Sequence, residues 1–266
     1  MTQIKQVLTI AGSDSGGGAG IQADIKAMSA NGVFAMSVIT AVTAQNTEEV
    51  TDVFELPASI IAAQIDAVFD DFDVAAVKTG MLSSVEIVRI VAKMLAQQKI
   101  SHLIVDPVML SKSGHALLKP EAVDALRDEL IPLALVITPN VHEAQQLSGL
   151  EIKTLADARQ AAKVLHKLGC RNVLIKGGHL LAERGTDLLY DGRFFNVYKG
   201  EYIDTPHTHG TGCTFASAIA AQVARGQALP DAVRTAKTYV TEAIRHGLAI
   251  GHGKGPTNHF YFLMQP

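Results

Sequence analysis

Short β-branched, apolar runs alternate with longer amphipathic stretches along most of this chain, and that rhythm restricts its fold more than any other feature. Residues 6–11 (QVLTIA), 33–42, 75–78, 102–106 (HLIVD), 133–138 (LALVIT) and 172–176 read as strands. Two of them halt at Pro107 and Pro139, which have no N–H to give to a ladder. Between them lie helical patterns. From Ala19 one face carries Ile21, Ile25 and Met28, with Asn31-Gly32 as the stop, and Pro57 opens a helix bearing Ile61, Ile65 and Val68. Residues 85–96, 121–130, 143–147 and 155–168 continue the series. The rhythm breaks where residues 188–190 and 193–198 flank Asp191-Gly192, a two-residue hairpin signal. Two more helices are expected over 212–225 and 230–247.

Strand runs that are apolar throughout suit burial on both faces, as in a parallel sheet covered by helices. No linker rich in Pro, Gly or Ser, no charge block and no internal repeat divides the chain. Residues 1–266 are therefore expected to form a single α/β domain, a three-layer sandwich around a mostly parallel sheet. With 48% hydrophobic residues, a chain of this size has a core large enough for an enzyme.

The net charge of −3, without a basic cluster, argues against nucleic acid as a partner. No run of about 18 apolar residues would span a membrane. Cys170 and Cys213 form no CxxC pair, so neither a disulfide framework nor a zinc knuckle is indicated. A cytoplasmic protein with reduced thiols is the expectation.

Ligands of such sheets collect at the carboxyl ends of the strands. The polar residues found there are Gly12-Ser13-Asp14, Gln45-Asn46, Lys78-Thr79-Gly80-Met81, Asp106, Asn140 and Lys176-Gly177-Gly178-His179, all expected on one rim. The segment Thr208-His209-Gly210-Thr211-Gly212-Cys213, directly before an alanine-rich helix, carries the strongest signal. Its glycines let successive N–H groups point one way, and the helix adds the positive end of its dipole. Such a nest can stabilise charge on a transferring phosphoryl group. Cys213, in the first helical turn, is placed where a thiol pKa tends to fall. An ordinary glycine-rich helix start beside a buried cysteine is the competing account.

Residues 12–20 (GSDSGGGAG) do not make a strict G-x-G-x-x-G and lack the Gly-Lys-Ser/Thr of a Walker A loop. They read as a flexible substrate-side loop with Asp14 and Asp24 as its polar contents, although Asp24 also suits a solvated helix face. Asp106 could hold Mg²⁺ or simply form a strand-end turn. Asn140 and Glu143 make either a capping box or a magnesium or phosphate site. Lys176 at a strand end wants an anion such as an ATP phosphate. Gln45 has the donor and acceptor to read a heterocycle edge, and Met81 and Val108 could pack on a ring. The histidines show no metal spacing, and His207 and His209 read as loop residues around the nest.

Through these residues the chain resembles the hydroxymethylpyrimidine and phosphomethylpyrimidine kinases of thiamine biosynthesis, in the ribokinase-like superfamily. LTIAGSDSGGGAGIQADIK, ITAVTAQNT, VKTGML, VDPVM, ITPNVHEA, KGGH and HTHGTGCTF follow one another in the family's order. The resemblance implies a ribokinase-like fold and two successive ATP-dependent phosphorylations, of 4-amino-5-hydroxymethyl-2-methylpyrimidine and then of its monophosphate. It implies a pyrimidine site of Gln45, Asp24, Gly12, Met81 and Val108. Asn140, Lys176, Thr208 and Lys237 fall on the ATP side, with Lys237 near the adenine. Asp106 and Glu143 fall on Mg²⁺. Gly210, Thr211, Gly212 and Cys213 resemble the anion hole and catalytic position, with Lys176 beside them. The wider superfamily usually has aspartate where this chain has Cys213. A homodimer is expected. Related enzymes phosphorylate pyridoxal or pyridoxine, so a vitamin B6 kinase is the second reading. A non-catalytic pyrimidine-binding protein is the third.

Overall fold

The computed structural model describes residues 4–111, 114–178 and 184–263. Among them nine strands form one sheet: β1 (Gln6–Asp14), β2 (Phe34–Gln45), β3 (Val50–Glu55), β4 (Val74–Thr79), β5 (Leu103–Val105), β6 (Val136–Ile137), β7 (Val173–Ile175), β8 (Thr186–Tyr190) and β9 (Phe195–Lys199). Their spatial order is β3-β2-β1-β4-β5-β6-β7-β8-β9. The stretch from β2 to β7 is parallel, and β3, β8 and β9 pair antiparallel at the two margins. The helices are α1 (Gly20–Ala30), α2 (Ala58–Asp71), α3 (Val85–Gln97), α4 (Ala122–Ala125), α5 (Val141–Ser148), α6 (Leu155–His166), α7 (Thr211–Ala224) and α8 (Leu229–Arg245).

Period-two alternation sorts each strand's side chains between two apolar layers. Leu8, Val77, Val105, Ile137 and Ile175 pack with Ile61, Val91 and Leu165 from α2, α3 and α6. Their strand neighbours Val7, Ala76, Ile104, Val136 and Leu174 pack on the other side with Met28, Ile219 and Ala236 from α1, α7 and α8. The result is the expected three-layer sandwich. Small residues let α7 sit close to the sheet, so that every residue from Thr214 to Ala224 is buried.

Three local expectations are corrected. First, residues 50–55 form β3, which the sequence pattern does not announce, because its side chains other than Val50 are exposed or half-buried at the sheet margin. Second, residues 133–138 contribute only the two-residue β6, since a 3₁₀ turn over Ile131–Leu133 occupies the approach. Third, the glycine-rich segment is tied down. β1 runs on to Asp14, whose carboxylate accepts from the N–H groups of Gly16, Gly18 and Ala19 at 2.8, 3.1 and 2.8 Å.

Beyond α8 the chain returns to the carboxyl ends of β1 and β2. Gly253 N–H donates to Thr47 Oγ1 and Lys254 N–H to Thr47 O, at 3.0 and 2.9 Å. His209 N–H donates to Gly255 O, and Thr257 N–H to His209 O, at 3.0 and 3.2 Å.

Candidate active site

Strand order sets the order of functional groups along one cleft. At the carboxyl edge of the sheet, Gln45 ends β2, Asp14 ends β1, Met81 follows β4, Asp106 follows β5, Asn140 follows β6 and Lys176 follows β7. β8 runs the other way, so Asp187 near its start joins the same edge. These groups line a cavity of about 770 Å³ together with Thr208 and residues 209–213. His179, expected on this rim, lies outside the described residues.

The head of α7 forms the middle of the cleft. Gly210 precedes the helix with φ +79°, a left-handed conformation that glycine adopts without the strain a Cβ brings. A Cβ there would also collide with the Gly18 carbonyl oxygen, so the glycine-rich segment and the nest touch backbone to backbone. The first N–H groups of a helix lack partners within it, and Thr211, Gly212 and Cys213 of the first turn of α7 line the cleft, with Thr211 N–H turned back to Thr208 O at 3.3 Å. Thr208 O closes the turn by accepting from Thr211 Oγ1 at 2.7 Å. A Cβ on Gly212 would stand 3.4 Å from Lys176 Nζ and 3.7 Å from Asp106 Oδ2, which brings the nest and that ion pair into contact.

Lys176 Nζ lies 2.7 Å from Asp106 Oδ1, which also accepts from Thr138 Oγ1 at 3.0 Å. Burial works to raise the Asp106 pKa, but the ammonium groups of Lys176 and Lys78 outweigh it and hold the carboxyl below its usual range. Glu143 goes the other way. Burial, with Asp106 adding repulsion, pushes it up to about 7 against the attraction of Lys176. Glu143 and Asn140 do form a capping box, with Asn140 N–H donating to Glu143 Oε2 at 2.7 Å and Glu143 N–H to Asn140 Oδ1 at 2.9 Å. Both also line the cleft, so capping and a ligand role coexist.

The Cys213 thiol lines the cleft too, but its expected acidity is corrected. Burial pushes it up to about 11, despite Lys78 nearby and the Gly20 N–H that donates to it. Desolvation outweighs the helix end, so the group is a neutral thiol at pH 7.

At the β1–β2 end the wall is apolar with a polar edge. A Cβ on Gly12 would come 2.9 Å from Met81 Sδ, so the bare glycine leaves room for the thioether. Val108 lines the same cavity. One end of the Gln45 amide lies 3.1 Å from Thr43 Oγ1 and the other 3.4 Å from His209 Nε2. His209 is 7% exposed, and its Nε2 sits 2.9 Å from Asp14 Oδ2. Sequence reasoning treated His209 as an ordinary loop residue. Its place immediately before Gly-Thr-Gly was the available signal.

At the β8 end Lys237 Nζ pairs with Asp187 Oδ2 at 2.7 Å and donates to Gly185 O at 2.6 Å. Val240 and Ile244 of α8 line the wall beyond it. Asp187 carried no signal in the sequence, because it pairs with a residue 50 positions away.

Asp24 does not line the cavity, and neither do Asn46, Lys78, Thr79, Gly80 and Gly177, which were expected on the same rim. Asp24 is fully buried, accepting from Lys78 Nζ at 2.9 and 2.8 Å, from Thr9 Oγ1 at 2.6 Å and from Ser217 Oγ at 2.7 Å. Both carboxylate oxygens are taken, so the expected contact with a ring is corrected to a structural one beneath the cleft.

Among the described residues no group of three or more His, Cys, Asp or Glu side chains could hold a metal by itself. Mg²⁺ bound with a nucleotide asks for less: one or two carboxylates, with phosphate oxygens and water completing its shell. Asp106 and Glu143, close enough to perturb each other, fit that need.

The structure superimposes on an ADP complex of Bacillus subtilis pyridoxal kinase with a TM-score of 0.92 and 42% identity, covering 99% of this chain and 100% of that one. Phosphomethylpyrimidine kinase from Clostridium difficile 630 matches with a TM-score of 0.82 and 48% identity, over 91% of this chain and 100% of that one. Fold and cleft together are those of a ribokinase-like small-molecule kinase. The family model for phosphomethylpyrimidine kinase matches residues 14–258, and a hydroxymethylpyrimidine/phosphomethylpyrimidine kinase of Haemophilus influenzae is 52% identical over 98% of this chain and 99% of its own length. The chain belongs to the phosphomethylpyrimidine kinase family.

Proposed function

We propose that this chain transfers the γ-phosphoryl group of ATP to the hydroxymethyl oxygen of 4-amino-5-hydroxymethyl-2-methylpyrimidine, and a second one to the resulting monophosphate. The observation that carries this reading is the single cleft in which an amide-edged apolar end, an anion nest and a lysine-lined far end follow in order. The ring lies between Met81 and Val108, over bare Gly12, with its polar edge on Gln45. The nucleotide lies toward Lys237, with Asn140 and Thr208 along its phosphates.

Phosphoryl transfer needs positioning and charge stabilisation more than covalent help from the protein. The N–H groups at the head of α7, with Lys176, take the charge on the moving phosphoryl oxygens. Mg²⁺, held by Asp106 and Glu143, would neutralise phosphate charge when bound. The neutral Cys213 thiol holds the acceptor hydroxyl in line rather than ionising it beforehand. The chain works as one unit over residues 1–266, as a homodimer in the cytoplasm.

The test is a kinase assay with Mg²⁺, ATP and the hydroxymethylpyrimidine, with products identified. ADP together with mono- and diphosphate is expected. Binding without turnover would indicate a non-catalytic protein. The match to pyridoxal kinase structures supports one competing reading. A much higher kcat/KM for pyridoxal in direct competition would establish a vitamin B6 kinase instead.

A further inference from the structure

The two ends of a side-chain amide are told apart only by their partners. At Gln45 those partners are unusually well constrained. Asp14 accepts three backbone N–H bonds, and its pKa is lowered, burial being outweighed by His209 and those N–H groups. It is therefore a carboxylate with no proton to give. The imidazole nitrogen 2.9 Å away must carry a hydrogen, so His209 Nε2–H donates to Asp14 Oδ2.

The Gln45 amide approaches this same Nε2–H at 3.4 Å. If its NH₂ were there, two donors would face each other. The amide oxygen in that place accepts a second branch of the His209 hydrogen. Turned over from the placement that sets Oε1 on Thr43 and Nε2 on His209, the amide puts its NH₂ 3.1 Å from Thr43 Oγ1 as donor, and Thr43 in turn donates its own hydrogen to Ser13 O at 3.0 Å. The hydrogens of His209 Nε2 and Thr43 Oγ1 and one hydrogen of the Gln45 NH₂ then each meet an acceptor, whereas the opposite placement sets the NH₂ against the His209 N–H.

Independent packing holds the imidazole where it can do this. A Cβ on Gly18 would collide with the imidazole carbon, so that glycine is bare where the ring enters. The His209 backbone is bonded on both sides to the segment at Gly255 and Thr257.

We infer that His209 is a positioning residue that sets the Gln45 amide oxygen toward itself and the NH₂ toward Thr43, and thereby selects which donor–acceptor edge of a ring is bound. The edge that fits is an exocyclic amine on the His209 side, donating to the Gln45 oxygen, next to a ring nitrogen accepting from the Gln45 NH₂. A ring with a carbonyl and a ring N–H at the same two positions presents the opposite pattern and is rejected. This inference rests on the proposed pyrimidine site and adds the residue that gives it polarity.

The test compares equilibrium binding, by calorimetry on the whole chain, of 4-amino-5-hydroxymethyl-2-methylpyrimidine and its 4-oxo analogue. The unaltered protein should prefer the amino ring by at least about a hundredfold, as expected for two mismatched hydrogen bonds. In His209→Leu the amide is free to turn over. The amino ring should then bind at least about tenfold more weakly, the oxo ring more tightly, and the preference should shrink to a few-fold. His209→Gln, which retains an N–H near the same place, should restore most of the preference. Thr43→Val, which releases the other end of the amide, should erode the preference in the same direction should the leucine variant fail to fold. Parallel weakening of both rings, or an unchanged preference, overturns the inference. Failure of the unaltered chain to bind the amino ring overturns the proposed function along with it.

Discussion

Lys176 Nζ and Asp106 Oδ1 stand 2.7 Å apart at the point where the head of α7 meets the sheet edge, with no side chain on Gly212 to separate the pair from the nest. Such an ion pair is poised to open toward a phosphate. The ammonium can exchange part of its bond to Asp106 for an anion without leaving the cleft. Lys176→Met should lower kcat by about 10²–10³-fold, the usual cost of removing one donor aimed at developing charge. Steady-state ADP release with saturating ring substrate measures it. A loss confined to the KM for ATP would place Lys176 in nucleotide binding alone.

The Cys213 thiol should behave as its burial dictates. With its pKa raised to about 11, iodoacetamide should modify it slowly at pH 7, and the rate should climb about tenfold per pH unit toward 11. The stability linkage has a definite sign: the folded-state pKa lies above that of the free thiol, so the contribution is complete below about pH 9 and lost as pH rises through about 11. Fast alkylation at neutral pH, followed by mass spectrometry of the Cys213 peptide, would contradict the neutral thiol.

Gly210→Ala should be costly twice over. The left-handed backbone costs an L-residue about 1–2 kcal/mol, and the collision with Gly18 O adds to it. A lowered thermal midpoint together with a collapse of kcat is expected, because the displaced backbone carries the N–H groups proposed to hold the moving phosphoryl oxygens.

Asp24→Ala should unfold more than it disarms. Removing one partner of a fully buried ion pair leaves the Lys78 ammonium without its bonded carboxylate and with only the more distant Asp106 to offset its charge, at a cost of about 3–5 kcal/mol. In the fraction that remains folded, the ring Kd should stay near that of the unaltered protein, since Asp24 is not on the cavity wall. A large loss of ring affinity without loss of stability would reinstate the contact expected from the sequence.

These cases show where sequence reasoning reached and where it stopped. The parallel core is legible because its strands are largely apolar runs, and the rim is legible because polar residues follow those strands on the edge where ligands of such sheets collect. Phasing α1 on Ile21, Ile25 and Met28 leaves Asp24 on a solvated face, the alternative to its ring contact, whereas Ile21, Ala23, Asp24, Ala27 and Met28 are the buried residues. Partners distant in sequence make that burial possible: Lys78, 54 positions away, with Thr9 and Ser217. The thiol of Cys213 was misjudged for a related reason. A helix start is visible in sequence, but the dryness around it depends on packing from other elements. β3 escaped because its alternating face meets solvent instead of a helix.

The bonds that join Thr47 to Gly253 and Lys254 also bear on how this protein matures in the cell. A ribosome delivers Gly253 206 residues after Thr47, so the nascent chain can assemble its sheet before the segment that braces the end of β2 has been made. A truncation just before Gly253 would strip away more than this brace, because Thr257, Asn258 and His259 are buried and His259 bonds to Thr214 and Tyr239.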